Sequence, residues 1–190
     1  AFFQTAYWTL FLFIPALTMR TLAEERRSGT LDLLLTKDVS DGQVVGGKFL
    51  ACLLLIVFAL AFTLPYYFAI ASMGSMDHGA VWCGYFGLLC MSAGYVAIGI
   101  YASSLSRNQI EAFLVGMLVI VVFHVLAMVL SSNFTGPLGV FLQFLSTAEH
   151  FDSMSRGVVD SRDLVYFASV IVFALVLAER NLAKRMFDRS

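Results

Sequence analysis

The stretch GQVVGGKFLACLLLIVFALAFTLPYYFAIA (42–71) decides what kind of protein this is. Its first seven residues have the form G-x-x-x-x-G-K, which in ATP-using proteins cradles phosphate. That loop needs Ser or Thr next, because the hydroxyl holds magnesium. Phe49 stands there instead. The loop should also follow a buried strand and open a soluble helix, whereas here it opens a 23-residue apolar run, 49–71. No acidic residue ends a hydrophobic strand elsewhere to hold the metal. Ser40 with Gln43 has the spacing of a capping box, which starts a helix that runs on into the apolar stretch. Lys48 then marks the bilayer surface. The stretch reads as the entry to a membrane span.

Composition agrees. Of 190 residues, 59% are hydrophobic and 13% charged, against about 25% charged in a soluble domain. There are too few polar residues to coat a globule, so lipid must be part of the solvent. A net charge of −1 gives no footprint for nucleic acid. Five apolar runs approach the roughly 20 residues needed to cross a bilayer: about 2–19, 49–71, 81–104, 112–130 and 164–178. The last is short, but Arg162 and Arg180 at its flanks can snorkel to the headgroups. The runs lack the alternation of barrel strands, so they are helices. The expected fold is an all-α integral membrane protein: one polytopic helix bundle over 1–190. The piece PLGVFLQFL (137–145) is apolar but too short to cross, which suits a re-entrant or interfacial segment within 137–163.

The basic residues set an orientation. Ten of the twelve fall in 20–48, in the connection after the third run, and in the tail; the remaining two are Arg156 and Arg162. Basic loops stay in the cytoplasm, which puts 20–48 and the tail inside and 137–163 outside. The first run then starts outside, and a further span preceding Ala1 is expected. Pro15 and Pro65 lie within runs and can kink them. The third run carries Gly84, Gly87, Ala93, Gly94, Ala97 and Gly99, small residues that let helices approach closely.

The segment 20–48 is long for a helix connection, and such connections tend to be functional. It holds five basic and five acidic residues, and its pattern is two short helices broken at Gly29. Thr30 suits an N-cap of the second, with Asp32 in its first turn. Leu31, Leu34 and Leu35 form an apolar stripe at helical spacing. The stripe fits a groove on a soluble partner or a resting place on lipid.

Among single residues, His124 lies in the middle of the fourth run, where an ionisable group is a functional candidate: an intramembrane pathway residue, or a neutral imidazole bonded inside the bundle. An enzyme would require it to have close polar partners from other helices. Asp77 and His78 read as solvated loop residues. Glu149, His150 and Asp152 do not converge on one helix face as metal ligands would. Asp160 suits a cap for the last run, with Asp163 as an imperfect capping-box partner. Arg107 and Glu111 form an i,i+4 pair. Cys52, Cys83 and Cys90 lie in apolar runs without CxxC spacing and read as small buried hydrophobes. There is no HExxH, GxSxG or nucleophile–base pattern, so no catalytic residue and no cofactor or metal site is assigned to the chain.

Three clusters carry a resemblance. PALTMRTLAEERRSGTLDLLLTKDVSDGQVVGGKFLA (15–51), SSLSRNQIEAF (103–113) and AEHFDSMSRGVVDSRDLVYF (148–167) resemble the permease subunits of ABC-2 type transporters, with the gliding-associated permease branch most similar. The resemblance implies six spans, one of them upstream of Ala1. It implies a multi-pass protein of the bacterial inner (cytoplasmic) membrane, an exporter paired with a second permease half. A cytoplasmic ABC ATPase dimer would bind ATP and Mg, and an auxiliary envelope protein could attend. By similarity, the coupling helix that touches the ATPase falls on Glu24, Glu25, Arg26, Arg27, Gly29, Thr30, Leu31, Asp32, Leu33 and Leu34. Asp38 departs from the family, which has proline there. The gliding likeness also implies an alternative: a membrane anchor that transmits force in a motility or envelope machine.

Overall fold

The computed structural model describes residues 2–30, 40–73, 77–126, 129, 133 and 136–187. Those residues form helices and connections, with no strand among them. The helices are α1 (Phe2–Thr18), α2 (Ala23–Ser28), α3 (Asp41–Ala61), α4 (Leu64–Ala71), α5 (His78–Leu105), α6 (Gln109–Val121), α7 (Pro137–Leu145), α8 (Thr147–Ser155) and α9 (Ser161–Phe187). A π-helical turn, Val122–Leu126, continues α6. Four stretches are long and apolar enough to cross a membrane: Phe2–Ser28, Asp41–Ala71, His78–Leu105 and Ser161–Lys184. Gln109–Val125 is apolar but shorter. The far end of the expected fourth span, 127–130, lies almost wholly outside the described residues.

The capping box settles the opening question. Ser40 Oγ accepts from the Gln43 N–H at 3.3 Å, and Gln43 Oε1 accepts from the Ser40 N–H at 3.1 Å. Gly42 to Lys48 thus lie in the first two turns of α3, and from Gln43 onward their N–H groups are taken up by the cap and the helix. Pro65 does more than kink its span. The helix stops at Ala61 and restarts as α4 with proline in its first turn, where the missing N–H is no loss. Thr63 at the break donates to Leu60 O at 2.6 Å and lies 2.8 Å from the Tyr85 hydroxyl.

The bundle is built around α5. Its apolar stretch is 78% buried, against 28% for the stretches of α3–α4 and of α9. α9, α6, α1, α8 and α3 all pack on it. The small residues permit this. A Cβ on Gly84 would meet the Phe3 ring, one on Gly87 would meet Met154 Cβ, and one on Gly99 would run into Thr18. Large apolar side chains such as Leu54, Phe58, Leu118, Val165 and Phe173 point outward instead. In water they would be a liability; in lipid an outward Phe is as well solvated as an inward one.

Several local expectations are corrected. Asp77 and His78 are exposed, as expected, but each also makes a bond: Asp77 Oδ1 accepts from the Ala80 N–H and caps α5, and His78 Nδ1 lies 2.6 Å from the Tyr67 hydroxyl. Arg107 and Glu111 meet through the backbone. Glu111 Oε2 accepts from the Arg107 N–H at 2.9 Å while Asn108 Oδ1 accepts from the Glu111 N–H at 2.8 Å, so the pair starts α6 as a cap. Asp160 Oδ1 accepts from the Arg162 N–H at 3.0 Å at the start of α9. Asp163 does not reach back to complete a capping box; it turns inward to His150. α9 itself runs well past the expected 164–178, because its flanking charged residues continue the helix beyond the apolar part.

Candidate functional site: a tethered polar helix and a buried histidine

The polar end of the bundle is organised around α2. No Ser, Thr, Asp or Asn stands at its N-cap, which is Leu22. The cap comes from another helix. Ser103 Oγ on α5 accepts from the Leu22 and Ala23 N–H groups at 3.1 and 3.0 Å, and donates to Met19 O at 3.3 Å. Leu22 and Ala23 are buried beneath it. Arg26 then donates through Nη1 to Ser106 O at 3.0 Å, at the C-terminus of α5. Exposed carbonyls gather there and the helix dipole favours a cation. Glu25 Oε1 pairs with Lys48 Nζ at 2.5 Å, tying α2 to the first turns of α3. Arg20 Nε donates to Gln109 Oε1 at 3.2 Å, and Asn181 of α9 donates to Ser104 O at 2.9 Å. One end of the molecule is therefore stitched together by polar bonds between five elements.

The residues assigned by resemblance divide on this geometry. Glu25 and Arg26 are committed to α3 and α5. Glu24 is half-buried. Arg27, Ser28, Gly29 and Thr30 are exposed. Gly29 ends α2 at φ +72°, a left-handed conformation that glycine adopts without steric cost, which explains the expected break. Ser28 Oγ donates to Glu24 O, and Thr30 Oγ1 to Glu25 O, closing the helix end. Leu31, Asp32, Leu33 and Leu34 lie outside the described residues. Arg27 lines a groove of about 780 Å³ with Asn108, Glu111 and the apolar Ile110 and Leu114 of α6.

His124 sits in the π-helical turn, 1% exposed. Its Nδ1 faces the hydroxyls of Tyr7, at 3.3 Å, and of Tyr95. With Nδ1 the acceptor, the ring proton sits on Nε2, which has no partner among the described residues. Tyr7, Trp8 and Phe11 of α1 surround the ring. The polar partners that an enzyme would require are present, but they are two phenols, with no carboxylate or serine hydroxyl among the hydrogen-bonded set.

A second knot lies at the opposite end. His150 Nδ1 and Asp163 Oδ1 are 2.6 Å apart, both buried, and His150 Nε2 donates to Phe144 O at 2.9 Å. Tyr166 stacks on the imidazole at 4.1 Å and donates to Leu145 O. The knot fastens α7 and α8 to α9. His150 thus pairs with Asp163, not with Glu149 or Asp152. Among the described residues no three His, Cys, Asp or Glu groups gather as a metal site.

Residues 3–180 match the family described as ABC-2 family transporter protein. The chain belongs to this family. No curated protein matches it. Membership makes the chain a multi-pass membrane protein and a permease component of an ABC transporter, a class that works with a cytoplasmic ATPase. Sequence reasoning found α2 but missed Ser103, Lys48, Tyr7 and Tyr95. Ser103 and Lys48 belonged to stretches that carried the resemblance, yet nothing local told where their side chains would bond.

Proposed function

We propose that this chain is the permease half of an exporter and that α2 is the lever through which ATP-driven motion enters the bundle. The observation that carries the proposal is the attachment of α2. Its N-terminus is capped by α5 and its flank is ion-paired to α3, so displacement of α2 moves the two helices that frame the core. A lever of this kind needs a fixed side and a free side. Glu25 and Arg26 form the fixed side. Arg27 through Thr30 offer the free side; the resemblance assigns the rest of the contact to 31–34.

The end bearing α2 also carries Arg20, Arg26, Arg27, Lys48, Arg107, Arg180 and Lys184, and it faces the cytoplasm by the distribution of basic residues. A partner ATPase dimer supplies ATP and Mg, and a second permease half completes the pathway in a bacterial inner membrane. His124, polar and walled by aromatic rings at mid-span, is the pathway candidate within this half. Membership of the gliding-associated branch, with a force-transmitting role, is separated from export by asking whether the purified complex moves any solute or lipid.

The test is R27E, an exposed residue with no hydrogen bond to the rest of the described chain. The variant should keep its thermal unfolding temperature. It should lose most of the ATPase that co-purifies with the tagged wild type, and with it nucleotide-dependent transport in proteoliposomes. Wild-type recovery of an ATPase by R27E, with undiminished hydrolysis coupled to transport, would refute the lever.

A further inference from the structure

The end of the bundle opposite α2 holds a cavity of about 400 Å³ between α1 and α8, within the range of small-molecule sites. Its apolar wall is aromatic. Phe3, Tyr7 and Trp8 come from α1 and Phe151 from α8. Tyr7 and Phe151 stack at 5.1 Å, and Trp8 stands edge-on to Tyr7 at 5.4 Å, so the wall is held rigid. Tyr7 and Phe151 are buried while Trp8 is 48% exposed beside the opening. Behind Tyr7 lies His124, the mid-span residue.

The polar wall is acidic. Glu149 and Asp152, three residues apart on α8, share one helix face and both line the cavity. Asp152 pairs with Arg156 at 3.1 Å, both largely exposed. Glu149 has no ion-pair partner among the described residues. Two carboxylates against one guanidinium leave the lining net negative. Aromatic faces present negative potential to a ligand, and a cation over such a face gains further when water is excluded. An anion would meet both carboxylates and π-faces unfavourably. A neutral apolar molecule would leave Glu149 to be desolvated without compensation.

We propose that this cavity binds an amphipathic organic cation, an onium or protonated amine carrying a bulky apolar body, with the charge at Glu149 and Asp152 and the body against Tyr7, Trp8 and Phe151. The inference rests on reading the chain as the substrate-handling part of a transporter, and it gives that part a ligand class. The cavity lies in the same half of the bundle as His124, so a cation held there sits at the mouth of the pathway candidate.

Tetraphenylphosphonium and tetraphenylborate, ions of the same shape and opposite charge, provide the test. The sequence has two tryptophans, so W82F leaves Trp8 as the only indole. In nanodiscs of neutral lipid, the phosphonium should quench Trp8 fluorescence saturably. E149Q with D152N should raise its Kd by about tenfold or more, the loss expected when a partly desolvated charge contact is removed. R156Q should lower it, since the competing cation is gone. All four changed residues are at least partly exposed, and unchanged thermal unfolding will show that each variant is folded. A quench linear in probe, a borate Kd equal to or below that of the phosphonium, or an unchanged Kd in the double variant would each overturn the proposal. None of these readings needs an ATPase. Failure here with R27E behaving as expected removes the ligand class alone; the reverse removes the lever and leaves the site.

Discussion

Ser103→Ala removes one oxygen atom and leaves two backbone N–H groups, those of Leu22 and Ala23, facing a methyl group in a buried place. Alanine fits the space, so neither a clash nor a sizeable cavity is created. Leaving a buried N–H unpaired costs about 1–3 kcal/mol, so two of them should let α2 open more easily by about 2 kcal/mol at the least. At 1.4 kcal/mol per factor of ten, that is a rise of roughly 30-fold in the open population. The Glu25–Lys48 pair and the Arg26 bond to Ser106 O remain, so the helix loosens without detaching. Hydrogen exchange should report this as accelerated exchange confined to the segment around α2, with protection in the middle of α5 unchanged. Ser106→Ala is the control, because among the described residues that hydroxyl bonds within its own helix, to Ala102 O. If the lever reading holds, S103A should also weaken coupling between hydrolysis and transport while leaving ATPase association in place. Exchange around α2 within about threefold of wild type, well short of the loss of two bonds, would refute the claim that Ser103 is its cap.

Three further outcomes follow from other contacts. E25K should set two ammonium groups against each other and lower stability by about 1–2 kcal/mol, and E25K with K48E should recover most of it in thermal unfolding, since the pair is partly shielded from solvent; no recovery in the swap would deny the pair a structural role. G99A places a Cβ within 2.7 Å of Thr18 Cβ and should cost about 1–3 kcal/mol by prising α1 from α5, whereas G47A meets open space and should be neutral or stabilising by up to about 1 kcal/mol. The Arg162 N–H, with lesser help from Ser161, holds the Asp160 carboxylate below its ordinary 3.8. A lowered folded pKa means that its stabilisation is present above that ordinary value and is lost as pH falls through the folded one. Protection at the start of α9 should therefore decline only in that acidic window, and D160A should abolish the pH dependence there.

Much of this molecule was legible from short-range pattern. The length of the apolar runs, the Ser40–Gln43 capping box, the break at Gly29 and the small residues of the third run each express physics that acts over a few residues or along one helix face. The backbone of a spanning segment must satisfy its own hydrogen bonds, so an apolar run of sufficient length has only one local structure open to it.

The functional contacts were decided elsewhere. Ser103 caps a helix 80 residues away, Tyr7 reaches His124 across 117, and Lys48 finds Glu25 across 23. The local expectation for Asp163 failed for the same reason, since its partner His150 lies in another helix. A polar side chain in or near lipid has no water to fall back on and takes whichever partner the bundle brings within reach. Which partner that is depends on how the helices pack around α5. Sequence by itself therefore determined that these segments are helices and which of them are long and apolar enough to cross a membrane. Only the tertiary packing decided which of their few polar atoms would meet, because that choice is made by the approach of helices distant in the chain and not by any residue's neighbours.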